Sequence, residues 1–152
     1  MDTERFTPFV LYIEKISKNI KRIADEKMAP YSLRSAHVMC IMQLGKNNEG
    51  LCSCELSEAC GVDKAFISRI TQELVEKGYI IKADDACGKY KIKFVLTEQG
   101  EKINQEIVQI VMECLDKVDS HISMKKLEIF YELLSEIDKG VEALVKKGEV
   151  NE

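Results

Sequence analysis

Residues 51–100 have the sequence pattern of two short helices, a hairpin and the start of another helix. The first helix is predicted over Ser53–Cys60, where the leading serine is a possible N-cap, and it ends at Gly61, a residue type that can leave a helix with positive φ. Asp63 can accept hydrogen bonds from the first amides of a second helix, which stops at Gly78. A helix, a tight turn and a second helix therefore follow one another.

The second of these helices has two chemically different faces. Ile67, Ile70 and Leu74 recur at helical spacing, and with Leu56 and Val62 they can close a small core. The opposite face carries basic, small and hydrogen-bonding side chains close to the helix start: Lys64, Ala65, Phe66, Ser68, Arg69 and Gln72. The first face is predicted to be structural and the second to recognise a partner.

A helix with such a polar face can lie in the major groove of double-stranded DNA. Arg can pair there with guanine and Gln with adenine, while Ser and Lys can reach phosphates. Phe66 can contact a thymine methyl group or pack between the two short helices, and Ser53 can cap its helix or contact a phosphate. The alternative is a face that is simply solvated, which explains neither the capped helix before it nor the hairpin after it.

A hairpin is predicted after the second helix. Residues 79–82 favour β structure and residues 84–88 are rich in turn formers. Apolar side chains then recur with a period of two, which predicts one buried face made of Tyr90, Ile92, Phe94 and Leu96. Three lysines would lie on or beside the tip, where they could contact backbone phosphate or the minor groove: Lys89, Lys91 and Lys93. The hairpin is therefore predicted to be a wing beside the recognition helix.

The sequence ELSEACGVDKAFISRITQELVEKGYI, followed at wing distance by KIKFVLTEQG, resembles the MarR family of bacterial transcriptional regulators. The most specific parts are the Ser68 and Arg69 pair, the EKGYI sequence at the helix end, and LTEQG where the hairpin joins the next helix. One long helix before these motifs and two after them also match the family by layout. The resemblance implies a mainly α fold with a small β-hairpin wing, in which a winged helix-turn-helix domain is flanked by N- and C-terminal dimerisation helices.

The resemblance also implies how the chain is organised. All 152 residues would form one MarR-like domain, with the winged helix-turn-helix part at residues 31–97 and the helical dimerisation part at residues 1–29 and 98–152. One departure lies in the wing, where family members commonly carry an Asp and an Arg and this chain has Gly88 and Lys89. A brace between two such side chains is therefore not implied here.

The composition is that of a globular protein. With 152 residues and 45% apolar content, the chain can bury a core. No stretch approaches the roughly 18 consecutive apolar residues of a membrane span, and the N-terminus, with Asp2 and Glu4, lacks the basic-then-apolar pattern of a signal peptide. We therefore expect a cytoplasmic protein without membrane contacts. Pro30 is predicted to separate the first two helices.

The net charge of −4 is unevenly distributed along the chain. Residues 61–94 carry seven basic and five acidic side chains, whereas residues 95–152 carry seven basic and thirteen acidic ones. The segment predicted to read DNA is therefore locally positive, and the negative charge lies on the predicted dimerisation helices. Because charges farther than roughly 8–10 Å are largely screened at physiological salt, the overall charge does not exclude DNA binding.

Two helices outside the winged part carry apolar stripes. The first helix has Phe6, Phe9, Val10, Ile13, Ile16, Ile20 and Ile23, and the last has Leu127, Phe130, Leu134, Ile137, Val141 and Leu144. Two-fold pairing of identical chains is the commonest way to cover such stripes. A homodimer presents two recognition helices, which predicts a pseudo-palindromic operator with half-sites roughly 10 base pairs apart. A middle helix would connect dimer and winged part through Ile103, Ile107, Ile110, Cys114 and Val118.

In the MarR family a ligand pocket lies between the dimerisation helices and the winged unit. By position, the resemblance implies that a small-molecule effector would contact Tyr12, Tyr31, His37 and Cys40. Such an effector would release the operator by shifting the population of DNA-competent states. His37 lies in an apolar helix, and its alternative role is that of a hydrogen-bonded core or interface histidine.

The six cysteines suggest two other kinds of regulation. Cys52 and Cys54 form a C-x-C pair rather than the C-x-x-C spacing typical of structural zinc sites, and only His37 and His121 could add imidazole ligands. Cys87, in the wing, is predicted to be the most exposed thiol and could act as a redox sensor. Peroxide-sensing family members tend to carry their reactive cysteine in the first helix, where this chain has none. We expect neither a metal nor another cofactor.

Two other classes of function compete with DNA-binding regulation. An enzyme is not expected, because the sequence has no glycine-rich phosphate loop, no nucleophile elbow and no H-E-x-x-H pair. A winged helix used only as a protein-interaction module is the second alternative, against which Lys64, Ser68 and Arg69 argue. The sequence thus predicts a homodimeric repressor that an effector releases from DNA. Activation, or redox- or metal-responsive regulation by the same fold, are the alternatives.

Overall fold

The computed structural model describes residues 3–83 and 92–148 of the chain. In this part the helices and strands are α1 Phe6–Met28, α2 Ser35–Gly45, β1 Leu51–Cys52, α3 Ser53–Cys60, α4 Lys64–Glu76, β2 Ile80–Ala83, β3 Lys93–Leu96, α5 Glu98–Asp119 and α6 Met124–Gly148. Two 3-10 turns, Thr3–Arg5 and Ala29–Tyr31, flank α1. The chain divides into two compact units, one ending at Ile110 and the other beginning at Val111. The predicted fold class, mainly α with a small sheet, is confirmed.

The junction between α1 and α2 contains Pro30, as the sequence predicts. Ser32 follows the 3-10 turn in the left-handed conformation, with a φ of 56°. Asp25, near the end of α1, accepts a 2.7 Å hydrogen bond from the amide of Ser35, the first residue of α2. This bond lowers the pKa of Asp25. It also satisfies one of the amides that a helix start leaves without an intrahelical partner.

The core of the first unit is assembled from helices and sheet around α4. Its largest fully buried apolar side chains are Met28, Cys40, Ile41, Leu44, Leu56, Ile67, Ile70, Leu74, Ile80 and Ile107. Four of the five residues predicted to form the small core around the helix-turn-helix are among these buried side chains: Leu56, Ile67, Ile70 and Leu74. The fifth, Val62, is half-buried. Ile103 adds a further buried side chain from the first turns of α5. The helix-turn-helix therefore rests on a core within its own unit.

Three antiparallel strands form a sheet in the order β1-β3-β2. Cys52 of β1 pairs with Lys93 of β3, and Ile80 of β2 pairs with Leu96. β1 is absent from the sequence-based prediction because two residues are too few to show a period of two. This short strand joins the start of α3 to the return strand of the wing.

The return strand of the wing buries less than its alternation predicts. Phe94 is buried, whereas Leu96 is half-buried and Ile92 is 54% exposed. Among the described residues, strand pairing ends at Lys93, and Ile92 lies outside β3. The prediction of a buried Ile92 is therefore wrong. Tyr90, the remaining member of the predicted face, lies outside the described residues.

The LTEQG sequence forms the junction between β3 and α5. The hydroxyl of Thr97 accepts a 3.0 Å hydrogen bond from the amide of Gly100 and donates to the carbonyl of Gly78 at 2.7 Å. Gly100 packs against the carbonyl of Tyr79, where an added Cβ atom would overlap the backbone. The junction therefore ties the end of α4 to the start of α5, and it requires a residue without a side chain.

The second unit contains the last part of α5 and all of α6. On α5, Cys114 is half-buried and Val118 is 66% exposed. On α6, the exposed apolar side chains include Phe130, Ile137, Val141 and Leu144. Within the described part of the chain, no helix is long and apolar enough to cross a membrane.

Candidate nucleic-acid interface

The turn between α3 and α4 is held by hydrogen bonds from both sides. Gly61 is left-handed with a φ of 64°, and the amide of Val62 donates to the carbonyl of Ser57 at 3.1 Å. The hydroxyl of Ser57 in turn donates to the carbonyl of Val62. Asp63 caps α4 by accepting a 2.8 Å hydrogen bond from the amide of Phe66. The predicted helix, turn and helix are confirmed, and the turn sets the direction in which α4 leaves α3.

α4 buries one face and exposes the other. Ile67, Ile70 and Leu74 are buried, and so is Thr71, whose hydroxyl donates to the carbonyl of Ile67 at 2.9 Å. The solvent-facing side carries all six residues predicted on this helix to contact DNA: the exposed Lys64, Ala65, Ser68, Arg69 and Gln72, and the half-buried Phe66. The structure therefore brings these six side chains together on one accessible surface.

Arg69 is placed over the ring of Phe66. Its guanidinium carbon lies 5.2 Å from the ring centre, within the roughly 6 Å over which a cation and an aromatic face attract each other. This contact adds to the two roles predicted for Phe66. Because the ring supports the guanidinium, the side chain of Arg69 has fewer accessible conformations than a free arginine.

Positive charge is concentrated near the start of α4. Lys64 and Arg69 are exposed in its first half, and two carboxylates follow in its second half. Both carboxylates accept hydrogen bonds from neighbouring side chains. The side-chain amide of Gln72 donates to Glu76 at 3.0 Å, and the guanidinium of Arg34 donates to Glu73 at 2.7 Å. The start of the helix thus presents two cations beside one carboxylate, that of the Asp63 cap.

The start of α3 differs from the prediction by one residue. Cys52 is the N-cap: its sulfur accepts the amide hydrogen of Glu55, and the Glu55 carboxylate accepts the amide of Cys52 at 2.7 Å. The prediction of a Ser53 cap is wrong, because the extended backbone that ends β1 places the preceding thiol in the capping position. Ser53 is the first residue of α3 and half-buried, and at a helix start it remains a candidate phosphate contact.

Only the base of the wing lies in the described part of the chain. Lys89 and Lys91, predicted to contact DNA from the tip, lie outside the described residues. Lys93 is half-buried at the start of β3, and Lys82 is exposed on β2 opposite Phe94. Lys82 is a basic candidate that the sequence pattern missed, because alternation directed attention to the lysines of the return strand.

A buried histidine, His37, connects α2 to α4 through a hydrogen bond to Glu73. His37 is 1% exposed, and its Nδ1 atom accepts a 2.9 Å hydrogen bond from the amide of Arg34. Its Nε2 atom lies 2.9 Å from the carboxylate of Glu73. Because Nδ1 accepts, the proton of the neutral ring is on Nε2, which donates to Glu73. The guanidinium of Arg34 donates to the same carboxylate oxygen at 2.7 Å.

His37 and Glu73 each change the pKa of the other. Burial lowers the pKa of His37, and the hydrogen bond to Glu73 opposes that shift only in part. The hydrogen bonds from Arg34 and then from His37 lower the pKa of Glu73. A neutral histidine and an ionised glutamate are therefore the favoured forms at neutral pH, and they hold α4 to α2. Arg34 and Glu73 were not predicted as functional residues, because their positions carry no sequence motif.

Solved structures with the same arrangement of helices and sheet define the fold. A MarR protein from Peptoclostridium difficile has a TM-score of 0.81 at 21% identity, with 89% of this chain and 88% of that chain covered. The S. aureus MepR–DNA complex gives 0.80 at 19% identity, with 88% and 97% covered. A MarR family transcriptional regulator from Listeria monocytogenes, complexed with a 26mer DNA, gives 0.81 at 16% identity, with 87% of each chain covered.

This chain has the MarR fold. Its α3 and α4 form the helix-turn-helix of that fold, and β2 and β3 form the base of its wing. No protein-family model matches the sequence.

The four residues predicted to bind an effector have different surroundings in the MarR fold. Tyr12 is 67% exposed on α1. Tyr31 is half-buried, and its hydroxyl donates to the carboxylate of Glu106 on α5, which raises the pKa of Tyr31. His37 and Cys40 lie one turn apart in the core, where burial raises the pKa of Cys40 to about 12. His37 and Cys40 are therefore neighbours on α2, whereas Tyr12 is exposed and Tyr31 is half-buried.

The cysteines of the described residues form no disulfide bond: Cys40, Cys52, Cys54, Cys60 and Cys114. In residues 3–83 and 92–148, no group of three or more His, Cys, Asp and Glu side chains is placed to hold a metal ion. Cys87, predicted to be the most exposed thiol, lies outside these residues.

Proposed function

We propose that this protein is a sequence-specific, DNA-binding transcriptional regulator of the MarR type that acts in the cytoplasm. The observation that carries the proposal is the accessible face of α4, where Arg69 rests on Phe66 beside Lys64, Ser68 and Gln72. Two solved structures with this fold, MepR of S. aureus and the L. monocytogenes regulator, are DNA complexes. In the major groove, α4 would present Arg69 and Gln72 to base edges while Lys64 meets phosphate.

The protein acts as a homodimer on DNA. On α1, the apolar side chains Phe6, Phe9, Ile13, Ile16, Ile20 and Ile23 are between 41% and 69% exposed. On α6, Phe130, Ile137, Val141 and Leu144 are between 43% and 71% exposed. Soluble monomers rarely leave the apolar stripe of a helix so exposed, and a second copy of the chain is the commonest cover. The dimer would bind a pseudo-palindromic operator with half-sites roughly 10 base pairs apart.

The regulator represses by occupying its operator, and a small-molecule effector releases it. Tyr12 and Tyr31 are the accessible candidates for effector contacts, whereas His37 and Cys40 could join only in a state that opens the core. An effector that binds such a state better would shift the population away from DNA. A screen for compounds that release labelled operator, repeated with Tyr31→Phe, tests this part. In vitro transcription that rises when the operator is occupied would instead indicate an activator.

The DNA-binding proposal is tested by selection from a random pool of duplexes, followed by titration of the selected duplex at several salt concentrations. We expect tight and selective binding by a dimer. Affinity should fall steeply as salt rises, because each phosphate contact releases bound counterions. A random duplex of the same length is the control.

Two matched variants separate base recognition from phosphate contact. Arg69→Ala should cost about 1–3 kcal/mol on the selected duplex and much less on random DNA, whereas Lys64→Ala should weaken both and flatten the salt dependence. Lys125→Ala, an exposed lysine of α6, is the matched control. Equal losses of Arg69→Ala on both duplexes would contradict the base-reading role. Binding that responds neither to salt nor to these changes would favour a protein-interaction module.

A further inference from the structure

Two thiols meet at the start of α3. Cys52 is the N-cap of the helix and Cys54 is its second residue, and their sulfur atoms are 2.9 Å apart. That separation is only about 0.9 Å longer than the roughly 2.05 Å of a disulfide bond, so a small movement can join them. We propose that the pair is a reversible oxidation site, at which a hydroperoxide forms a Cys52–Cys54 disulfide and thereby lowers the affinity of the protein for its operator.

The two cysteines are suited to different steps. Cys54 is half-buried and Cys52 is only 4% exposed, so an oxidant in solution reaches Cys54 first. Cys54 lies in the first turn of α3, next to the Cys52 cap, so its sulfur faces that of Cys52 from the more accessible side. Burial, helped by the contact with Cys54, raises the pKa of Cys52. Cys52 therefore keeps its proton and is the thiol that resolves the oxidised partner.

The chemistry balances as a two-electron oxidation. The Cys54 thiolate attacks one oxygen of the hydroperoxide, the O–O bond breaks, and the alkoxide takes a proton from water to leave as an alcohol. The resulting sulfenic acid is then attacked by the sulfur of Cys52. The S–S bond forms as the S–O bond breaks, and the hydroxyl leaves as water with the proton of Cys52. Two thiols are oxidised, and the hydroperoxide is reduced to an alcohol and water.

The position of Cys52 connects this oxidation to the DNA-binding surface. Its sulfur accepts the Glu55 amide that begins α3, and its backbone pairs with Lys93 at the base of the wing. A disulfide would draw the sulfur toward Cys54 and weaken that cap. It would also enclose Ser53, the candidate phosphate contact, in a small ring. This effect on affinity rests on the proposed function, whereas formation of the disulfide does not.

The other described cysteines provide contrasts. Cys40 is buried in α2 and its pKa is about 12, so it is protonated and shielded. Cys60 lies at the far end of α3 and is half-buried like Cys54, but burial raises its pKa. Cys60 shares a helix and an exposure class with Cys54, which makes it the matched control.

The site of oxidation can be read from one tryptic peptide. Cleavage after Lys46 and Lys64 releases residues 47–64, which contain Cys52, Cys54 and Cys60. Reduced full-length protein is treated with one equivalent of hydrogen peroxide, alkylated and digested with trypsin. The mass of the peptide is then measured by mass spectrometry. We expect this peptide to lose two hydrogen atoms and to carry one alkyl group, located on Cys60 by fragmentation. Dithiothreitol should restore all three alkylation sites.

The effect on DNA is measured with the duplex obtained by selection. Wild-type protein and Cys60→Ser should lose roughly 5- to 150-fold in operator affinity on oxidation, the usual size of coupling between two sites, and recover it with dithiothreitol. Cys52→Ser and Cys54→Ser should form no disulfide and keep most of their affinity. Cys52→Ser is expected to fold, because a serine hydroxyl can cap α3 in place of the thiol.

The outcomes separate this proposal from the proposed function. A disulfide that leaves operator affinity unchanged overturns the effect on DNA binding, and a peptide that keeps both thiols overturns the oxidation site itself. The same holds if Cys54→Ser responds to peroxide as strongly as wild type. If reduced protein selects no sequence from the random pool, the regulator proposal fails, and the peptide mass still decides whether the disulfide forms.

Discussion

α1 and α4 are both amphipathic helices of the first unit, but only α4 buries its apolar face. Ile67, Ile70 and Leu74 of α4 are at most 1% exposed, whereas Phe6 and Ile20 of α1 are 69% and 60% exposed. The apolar spacing is helical in both. Periodicity therefore reports which face of a helix is apolar, and it does not report whether the same chain or another one covers that face.

This difference predicts two kinds of stability in one molecule. The packing of α4 is intramolecular, so its contribution does not depend on protein concentration. The burial of α1 would come from a partner chain, so its contribution should grow with concentration by mass action. Substitutions in the two helices should therefore differ in concentration dependence as well as in size.

The largest effect is expected for Leu74→Ala in α4. Leu74 is fully buried, and truncation would leave a cavity that lowers the free energy of unfolding by about 2–5 kcal/mol. Guanidinium denaturation at two protein concentrations measures this loss, which should be the same at both. Val62→Ala, at a half-buried position of the same core, is the control and should cost less. A loss that changes with concentration would contradict an intramolecular core.

A smaller effect is expected for Ile20→Gln in α1. The amide is similar in size to isoleucine, but burying it in an apolar interface without partners costs about 1–3 kcal/mol of association free energy. Sedimentation over a range of concentrations should show a weaker dimer. Lys21→Gln, at the next and exposed position, should leave the dimer intact. If Ile20→Gln dimerises as wild type does, the exposed face of α1 is not the dimer contact.

Local signals were sufficient to predict the helix-turn-helix. Gly61 and Gly78 have positive φ, and Asp63 caps α4, as their residue types indicate. The cap of α3 was misplaced because Ser53 is the better capping residue by type, whereas Cys52 has the extended backbone that a cap requires. That backbone depends on pairing with β3, a strand some 40 residues later, which is a tertiary effect.

The hydrogen bond between α2 and α4 could not be predicted from sequence. His37 and Glu73 are 36 residues apart, and neither belongs to a motif. Their hydrogen bond depends on how α2 and α4 pack, which periodicity does not specify. The polar face of α4 could be predicted because each of its residues lies on one helix, where spacing alone sets the direction of a side chain.

A pH-dependent effect tests the connection between α2 and α4. The pKa of His37 is lowered in the folded protein, so the unfolded chain binds more protons below its ordinary value of 6.5. Stability should therefore be complete above about pH 6.5 and decline as pH falls, by at most about 1.4 kcal/mol per pH unit for one proton. Denaturation between pH 5 and about pH 7.5 measures this.

Two variants identify the group responsible for that decline. His37→Gln should be less stable than wild type at neutral pH and should lose the decline between about pH 6.5 and pH 5. His121→Gln, at the exposed histidine of the second unit, should retain the wild-type profile. The lowered pKa of Glu73 adds a loss only at more acidic pH, as pH falls below its ordinary value of 4.5. An unchanged profile in His37→Gln would mean that another group titrates.

The smallest effect is expected on the polar side of α1. Arg22 and Glu26 form a 3.1 Å ion pair one turn apart, with side chains 77% and 66% exposed. Water and salt screen such a pair, so Glu26→Gln should change the free energy of unfolding by no more than about 0.5 kcal/mol. Denaturation in low and high salt measures it, with Ile20→Gln as the comparison within the same helix. If Glu26→Gln weakened the dimer as much as Ile20→Gln, the partner would cover both sides of α1, and the apolar stripe alone would not define the interface.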